Sequence, residues 1–315
     1  MLLVQGAARV NTPSPAGRLR IAAAQYDVAP LADWVAYERR ITAWVDEAAL
    51  AGARLLLFPE YFAMELASLF GPEVSLSLPR QLNAMQELLA DFLALFARLS
   101  RTHGACIVAG SYPVRLADGS YRNRCHLFHP DGRGMFQDKL QMTRFETEEW
   151  HIGAGDTLKV FDTAFGRIGI NICYDSEFPL FAHRQVAAGA GLILVPSCTD
   201  TRACYHRVRL GSRARALENQ CFVVHSPTVG EAPWSAAVDR NTGAAAVYAP
   251  VDYGFPDNGV LIEGELDRAQ WVYADLDLGA LAGVRRHGQV CNFRDWDAQA
   301  RIAGVEIVAL EDTSG

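Results

Sequence analysis

Apolar positions along this chain follow two patterns: short unbroken runs, and longer stretches with helical spacing. Residues 20–27 (RIAAAQYD) read as an opening strand, and residues 32–51 carry a helical period closed by Gly52. Residues 54–58 (RLLLF) are almost continuously apolar, which predicts a strand buried on both faces. A second amphipathic helix is predicted over 79–101, opened by Pro79, and then a strand over 106–114 with Gly110 inside it. Strands at 122–129 and 134–139 flank the turn signal Asp131-Gly132, and strands at 158–161 and 167–173 flank Gly166. A helix at 181–190, a buried strand at 192–195 (LILV), a helix at 202–219 and a strand at 221–226 follow. Further strands over 236–251 turn at Asn241-Thr242-Gly243, and residues 271–276 give a late strand. The sequence holds no repeat of fixed period. Alternating helices and strands interleaved with hairpins predict an α/β protein whose mixed sheet is covered by helices.

Composition narrows the function. The chain has 315 residues, half of them apolar, enough for a large core. Its one low-order stretch is Asn11-Thr12-Pro13-Ser14-Pro15-Ala16-Gly17, so residues 1–17 are expected to be a flexible leader and 18–315 a single domain. A formal charge of −7 argues against nucleic acid, whose phosphates call for a basic face. Arg202, Arg207, Arg209, Arg213 and Arg215 share one predicted helix with Glu218 and do not make such a face. No apolar run approaches the roughly 20 residues of a membrane helix. Met1-Leu2-Leu3-Val4 is too short for a secretory signal, so a cytoplasmic location is expected. Seven cysteines without a CxxC pair read as free thiols in a reducing compartment. His126 and His129, three apart on a strand, would point to opposite faces, so no metal site is expected.

Three residues carry chemistry by position. Cys173 follows an apolar strand in Gly169-Ile170-Asn171-Ile172-Cys173-Tyr174-Asp175, and Pro179 soon opens a helix. A nucleophile on such a strand-to-helix turn is held in a fixed pose, with backbone N–H groups nearby for an oxyanion. Glu60 lies at the mouth of the buried run Leu55-Leu56-Leu57-Phe58-Pro59, where desolvation suits a carboxyl to proton transfer. Lys139 closes a strand in Met135-Phe136-Gln137-Asp138-Lys139, and a fixed ammonium favours thiolate and stabilises an oxyanion. Taken singly, each also reads as an ordinary residue: a core cysteine, a loop acid, a surface lysine. What they share is the edge of a core sheet, where sites of open α/β folds assemble.

In the order Glu, Lys, Cys, the sequence resembles the nitrilase superfamily of carbon–nitrogen hydrolases. Phe58-Pro59-Glu60, Gln137-Asp138-Lys139-Leu140 and Gly166-Arg167-Ile168-Gly169-Ile170-Asn171-Ile172-Cys173-Tyr174-Asp175 with Phe178-Pro179 resemble its three catalytic motifs. Residues 22–25 (AAAQ) and 214–223 (ARALENQCFV) agree as well. The resemblance implies a four-layer α-β-β-α sandwich with mixed sheets, assembled as a homodimer or higher homo-oligomer, with no cofactor. It implies that Cys173 attacks a carbonyl to form a thioester, and that Glu60 acts as base and then acid. Lys139 and the backbone N–H of Tyr174 would hold the oxyanion. It also implies a second glutamate, for which Glu146 fits best and Glu148 and Glu149 stand as rivals. Lining residues expected around the site are Tyr61, Trp150, Glu177, Cys198, Asp200 and Tyr205.

The chain departs from the family pattern in two places. Gln141 stands where many members have histidine, and Ser176-Glu177 stands where many have arginine before Phe-Pro. Glu177 would suit a cationic or amine-bearing substrate, or is simply a surface charge. Tyr174-Asp175 after the cysteine resembles the amidase and carbamoyl-amide branches rather than the nitrile-cleaving ones. The expected reaction is hydrolysis of a small amide or carbamoyl amide. Nitrile hydrolysis, acyl transfer from the same thioester, and an inactive binding protein of the same fold remain open alternatives.

Overall fold

The computed structural model describes residues 18–308. The expected leader, residues 1–17, lies outside the described residues. The first half of the chain runs β1 (Arg18–Asp27), α1 (Trp34–Leu50), β2 (Leu55–Leu57), α2 (Pro72–Ser75), α3 (Leu78–Met85), α4 (Leu89–His103), β3 (Cys106–Arg115), β4 (Tyr121–Phe128) and β5 (Gly134–Asp138). Then come α5 (Arg144–Glu148), β6 (Ile152–Gly153), β7 (Val160–Thr163), β8 (Gly166–Ile170), α6 (Pro179–Ala187), β9 (Ala190–Ser197) and α7 (Arg202–Asn219). The last stretch is β10 (Phe222–Glu231), β11 (Arg240–Asn241), β12 (Ala246–Tyr248), β13 (Val260–Glu263), β14 (Gln270–Asp277), α8 (Leu278–His287) and α9 (Asn292–Asp295).

These strands build two facing mixed sheets. One runs β5-β4-β3-β2-β1-β14, the other β7-β8-β9-β10-β12-β13, and the ends of β1 and β10 pair in parallel to join them. Side chains of β1 show the layering through their period of two. Leu19, Ile21 and Ala23 point between the sheets with Leu55, Leu57, Ile168 and Ile170, while Ala22, Ala24 and Tyr26 pack under α1 and α4 against Ile41, Val45, Phe92 and Phe96. On the far side, α6 and α7 cover the second sheet through Val186, Val208 and Ala216. The result is the α-β-β-α sandwich.

Several elements differ from the sequence expectation. The helix expected over 79–101 breaks after Met85. The Tyr112 hydroxyl captures the Met85 carbonyl, and Gln86 is pinned to the end of β3 by bonds to Pro113 O and Arg115 N (2.7 and 2.9 Å). The Leu89 N–H then bonds to Gln86 O in a 3₁₀ turn before α4 begins. The strand expected over 167–173 stops at Ile170, and Cys173 opens a 3₁₀ turn instead. The turn at Asn241-Thr242-Gly243 does not close a hairpin, since β11 and β12 each pair with β10. Its polar groups are spent on neighbours: Thr242 Oγ1 and the Gly243 N–H both donate to Asp267 Oδ1.

One glycine sets the position of the site. Gly110 sits at a bulge in β3 with φ of +57°, and a Cβ there would lie 2.0 Å from the Pro59 carbonyl oxygen. The bulge thus admits the loop that carries Glu60. Gly110→Ala is expected to destabilise the fold, with about 1–3 kcal/mol from the backbone conformation alone. The clash adds to that and displaces Glu60, and the urea midpoint should fall. Unchanged stability in that variant would contradict this reading.

Candidate active site

Parallel strands β2, β8 and β9 all end at the same edge, and each delivers a site residue just past its last bond. Glu60 follows β2, Cys173 follows β8, and Cys198 follows β9. Lys139 comes from the end of β5, where its backbone N–H donates to Asn123 O (2.9 Å). Two left-handed residues aim the chain at this edge. Tyr61 (φ +55°) has its N–H held by Ser111 Oγ at 3.0 Å, and Cys173 itself has φ of +49°. Positive φ at a bulky residue is strained, and such strain gathers at functional sites.

The side chains converge. Lys139 Nζ donates to Glu60 Oε1 at 2.8 Å and to Glu146 Oε2 at 2.6 Å. Lys139, Glu60 and Glu146 are all at least 97% buried. The Cys173 thiol lies beside Glu60 and interacts with it electrostatically, and its Sγ donates to Cys198 O at 3.9 Å. The Cys198 N–H donates to Glu60 Oε2 at 2.9 Å, which fixes the second carboxylate oxygen. Glu146 closes a capping box with Thr143 at the start of α5 and accepts from the Tyr61 hydroxyl at 2.9 Å. Of the three candidate second glutamates it is Glu146 that reaches the lysine. Glu148 pairs with Arg144 at the surface, and Glu149 is exposed.

The electrostatics follow from dry packing around one cation. Burial pushes the Glu60 carboxyl above the ordinary carboxylate range, and Lys139 only partly offsets it. Burial acts the same way on Glu146, but there Lys139 and donors from Thr143 and Asn123 win, and its pKa is lowered. Burial alone would discharge Lys139, but Glu146 and Glu60 hold its pKa well above the free value. Burial and the Glu60 charge push the Cys173 thiol up, which favours its protonated form. The site brings together the Lys139 ammonium, the Glu60 and Glu146 carboxyls and the Cys173 thiol. Such an arrangement can move one proton between Cys173 and Glu60 with Lys139 charged throughout.

Asp175 locks the lysine loop to the cysteine turn. Its carboxylate accepts from the N–H groups of Leu140, Gln141 and Ile172 at distances of 2.7–3.3 Å. Burial raises its pKa to about 7. Ser176 Oγ donates to Cys173 O at 2.6 Å, and α7 braces the same turn through Arg215 to Ser176 O.

The expected lining residues divide. The Tyr174 backbone lies in the first turn after Cys173, where a helical N–H lacks an intrahelical partner. Trp150 is buried edge-on against Tyr61 at 4.7 Å. Cys198 touches both Glu60 and Cys173, and its Sγ donates to Asn241 Oδ1 at 3.4 Å. Asp200 and Asn241 line a shallow cavity of about 330 Å³. Glu177 and Tyr205 are spent elsewhere. Glu177 pairs with Arg207 at 3.4 Å, and the Tyr205 hydroxyl donates to Glu263 beside a bidentate Arg209. Sequence reasoning missed Asn123, Thr143, Ser111 and the bracing role of Asp175. Asp175 stood inside a quoted motif, and Thr143-x-x-Glu146 is a readable capping box; Asn123 gave no signal. Among the described residues, no group of three or more His, Cys, Asp or Glu is placed to hold a metal. No helix among them is long and apolar enough to cross a membrane.

This architecture is the fold of the nitrilase superfamily. Saccharomyces cerevisiae Nit3, a member of branch 10 of that superfamily, superposes with a TM-score of 0.71 at 20% identity, over 87% of this chain and 96% of Nit3. The chain belongs to the carbon–nitrogen hydrolase family, whose model matches residues 20–285. It is 36% identical over 277 residues to the probable hydrolase YhcX of Bacillus subtilis, covering 88% of this chain and 53% of YhcX. The chain thus spans about half the length of that relative. Human omega-amidase NIT2 is 26% identical over 255 residues, 78% of this chain and 85% of NIT2.

Proposed function

We propose that this chain hydrolyses the carbon–nitrogen bond of a small non-peptide amide or carbamoyl amide through a thioester on Cys173. The observation that carries the reading is the single ammonium, Lys139, held between Glu60 and Glu146 beside the Cys173 thiol. Amide carbonyls are poor electrophiles, and covalent catalysis divides the barrier. Glu60 takes the thiol proton as sulfur bonds to the carbonyl carbon. The oxyanion is held by Lys139 and the Tyr174 N–H. On collapse the C–N bond breaks, and Glu60 returns the proton to the departing nitrogen. Glu60 then takes a proton from water as it attacks the thioester. The C–S bond breaks, and the proton returns to sulfur. Glu146 stays ionised and keeps Lys139 charged and in place. The omega-amidase relatives favour amide over nitrile as the substrate class.

The test is ammonia release from propionamide, succinamate, N-carbamoyl-β-alanine and propionitrile, with intact-mass analysis of quenched reactions. An acyl adduct mapped to Cys173 and turnover of an amide or carbamoyl amide are expected. The acid limb of kcat/KM is expected above the ordinary carboxylate range, because Glu60 must be ionised in the free enzyme. Turnover that survives complete alkylation of Cys173 would exclude the mechanism. Turnover of the nitrile alone would move the assignment to the other branch.

A further inference from the structure

Asn123 lies on β4, fully buried, and carries no part in the chemistry above. Its side-chain amide donates one hydrogen bond to Glu60 Oε1 at 2.8 Å and one to Glu146 Oε1 at 3.0 Å. Its backbone carbonyl accepts from the Lys139 N–H. One residue therefore touches all three charged members of the site. Its own Oδ1 is buried without a partner among the described residues. Turning the amide over would set that oxygen against two carboxylate oxygens, so the neighbours fix its orientation. A buried acceptor left unpaired works against stability, and such groups in folded proteins call for an explanation. Here the explanation is the use of both amide hydrogens.

We propose that Asn123 is a positioning residue for the Glu60 proton relay, tying Glu60 and Glu146 into one unit around Lys139. This rests on the reading that Glu60 exchanges a proton with Cys173. During that cycle Glu60 alternates between carboxylate and acid. As an acid it loses most of its attraction to Lys139, which leaves Oε1 to the Asn123 donor while the Cys198 N–H holds Oε2. Asn123 remains anchored on Glu146, which stays ionised, and so holds Glu60 Oε1 in the same place through both half-reactions. The groups facing Glu60 are Lys139, Glu146, Tyr61, Cys173, Cys198 and, from β4, Cys125. Against these, the Asn123 donor favours the ionised form of Glu60, and its loss shifts proton release to higher pH.

The experiment follows alkylation of Cys173 by iodoacetamide across about pH 5–9, the range a carboxyl–thiol relay spans, in full-length wild type, Asn123→Ser, Asn123→Asp and Glu60→Gln. This readout needs no substrate. The acid limb of alkylation should move up by about one pH unit in Asn123→Ser and further in Asn123→Asp, which adds a carboxylate. With propionamide, or whichever amide the wild type turns over, kcat should fall on the order of 10²-fold with little change in KM. A purely structural role would lower the melting temperature and leave the limb in place. Folded Asn123→Ser and Asn123→Asp proteins with the wild-type limb would overturn the proposal. A Glu60→Gln protein whose alkylation profile matches wild type would instead overturn the underlying Glu60–Cys173 relay, and the two failures are distinguishable.

Discussion

Cys173→Ala should abolish amide turnover, by about 10⁶-fold in kcat, and Glu60→Gln should lose nearly as much. The near-equality follows from the geometry. In the proposed mechanism the thiol and the neighbouring carboxylate exchange one proton, so removing either disables the same step. The double variant should therefore be scarcely worse than either single one, which a kinetic double-mutant cycle reads directly. The fold should survive both changes differently. Cys173→Ala removes one sulfur from a packed turn whose carbonyl remains held by Ser176, and its circular dichroism and melting temperature should stay close to wild type. Glu60→Gln exchanges one acceptor oxygen for a donor among Lys139, Asn123 and Cys198, all of which already donate to it. One of those donors loses its acceptor, so this variant should melt lower while remaining folded. Additive losses from the two single changes would separate Glu60 from the nucleophile and leave the relay without support.

The parts of this site that were legible in the sequence are those fixed by local chain direction. Leu55–Leu57 is apolar on both faces, so Glu60 had to emerge at a sheet edge. Cys173 had to lie on a turn because Pro179 opens α6. The helix over Arg202–Asn219 was readable in the sequence, and the structure adds Thr201 as its N-cap. What was not legible depends on partners far away in sequence. Nothing local to Met85 announces that the Tyr112 hydroxyl takes its carbonyl and interrupts a helix. Glu177, which the sequence left open between a contact to a cationic substrate and a surface charge, pairs with Arg207 on α7. Asn123 sits among charged residues on an ordinary strand, and its role exists only once β2, β4 and α5 are brought together. The helix α8 was available and missed: Asp277 caps its start, and Arg285, Arg286 and His287 fill its last turn.

Replacing the one cation of the site should damage both stability and catalysis, and it should do so with a pH dependence of known sign. In Lys139→Met the two carboxylates that flanked the ammonium remain buried without their counter-charge. Breaking a buried ion pair from one side costs about 3–5 kcal/mol. The carboxyls relieve part of that cost by holding a proton, which raises their pKa in the folded state above the unfolded value of about 4.3. A carboxyl whose folded pKa is raised binds protons more tightly when folded, so stability falls as pH rises from the unfolded pKa through the folded one. In the wild type Glu146 runs the opposite way: Lys139 lowers its pKa, and its contribution is present above the unfolded pKa and fades toward acid. The difference between wild type and Lys139→Met should therefore be small in acid and largest at neutral pH and above. Urea melts at two pH values read it. Loss of the proposed oxyanion donor should at the same time lower kcat by at least about 10²–10³-fold. Lys139→Arg should not rescue it, because a planar five-donor fork does not fit the space of a compact ammonium between two carboxylates. A Lys139→Met protein equally stable at both pH values and still active would show that the cation neither holds the two acids together nor takes part in turnover.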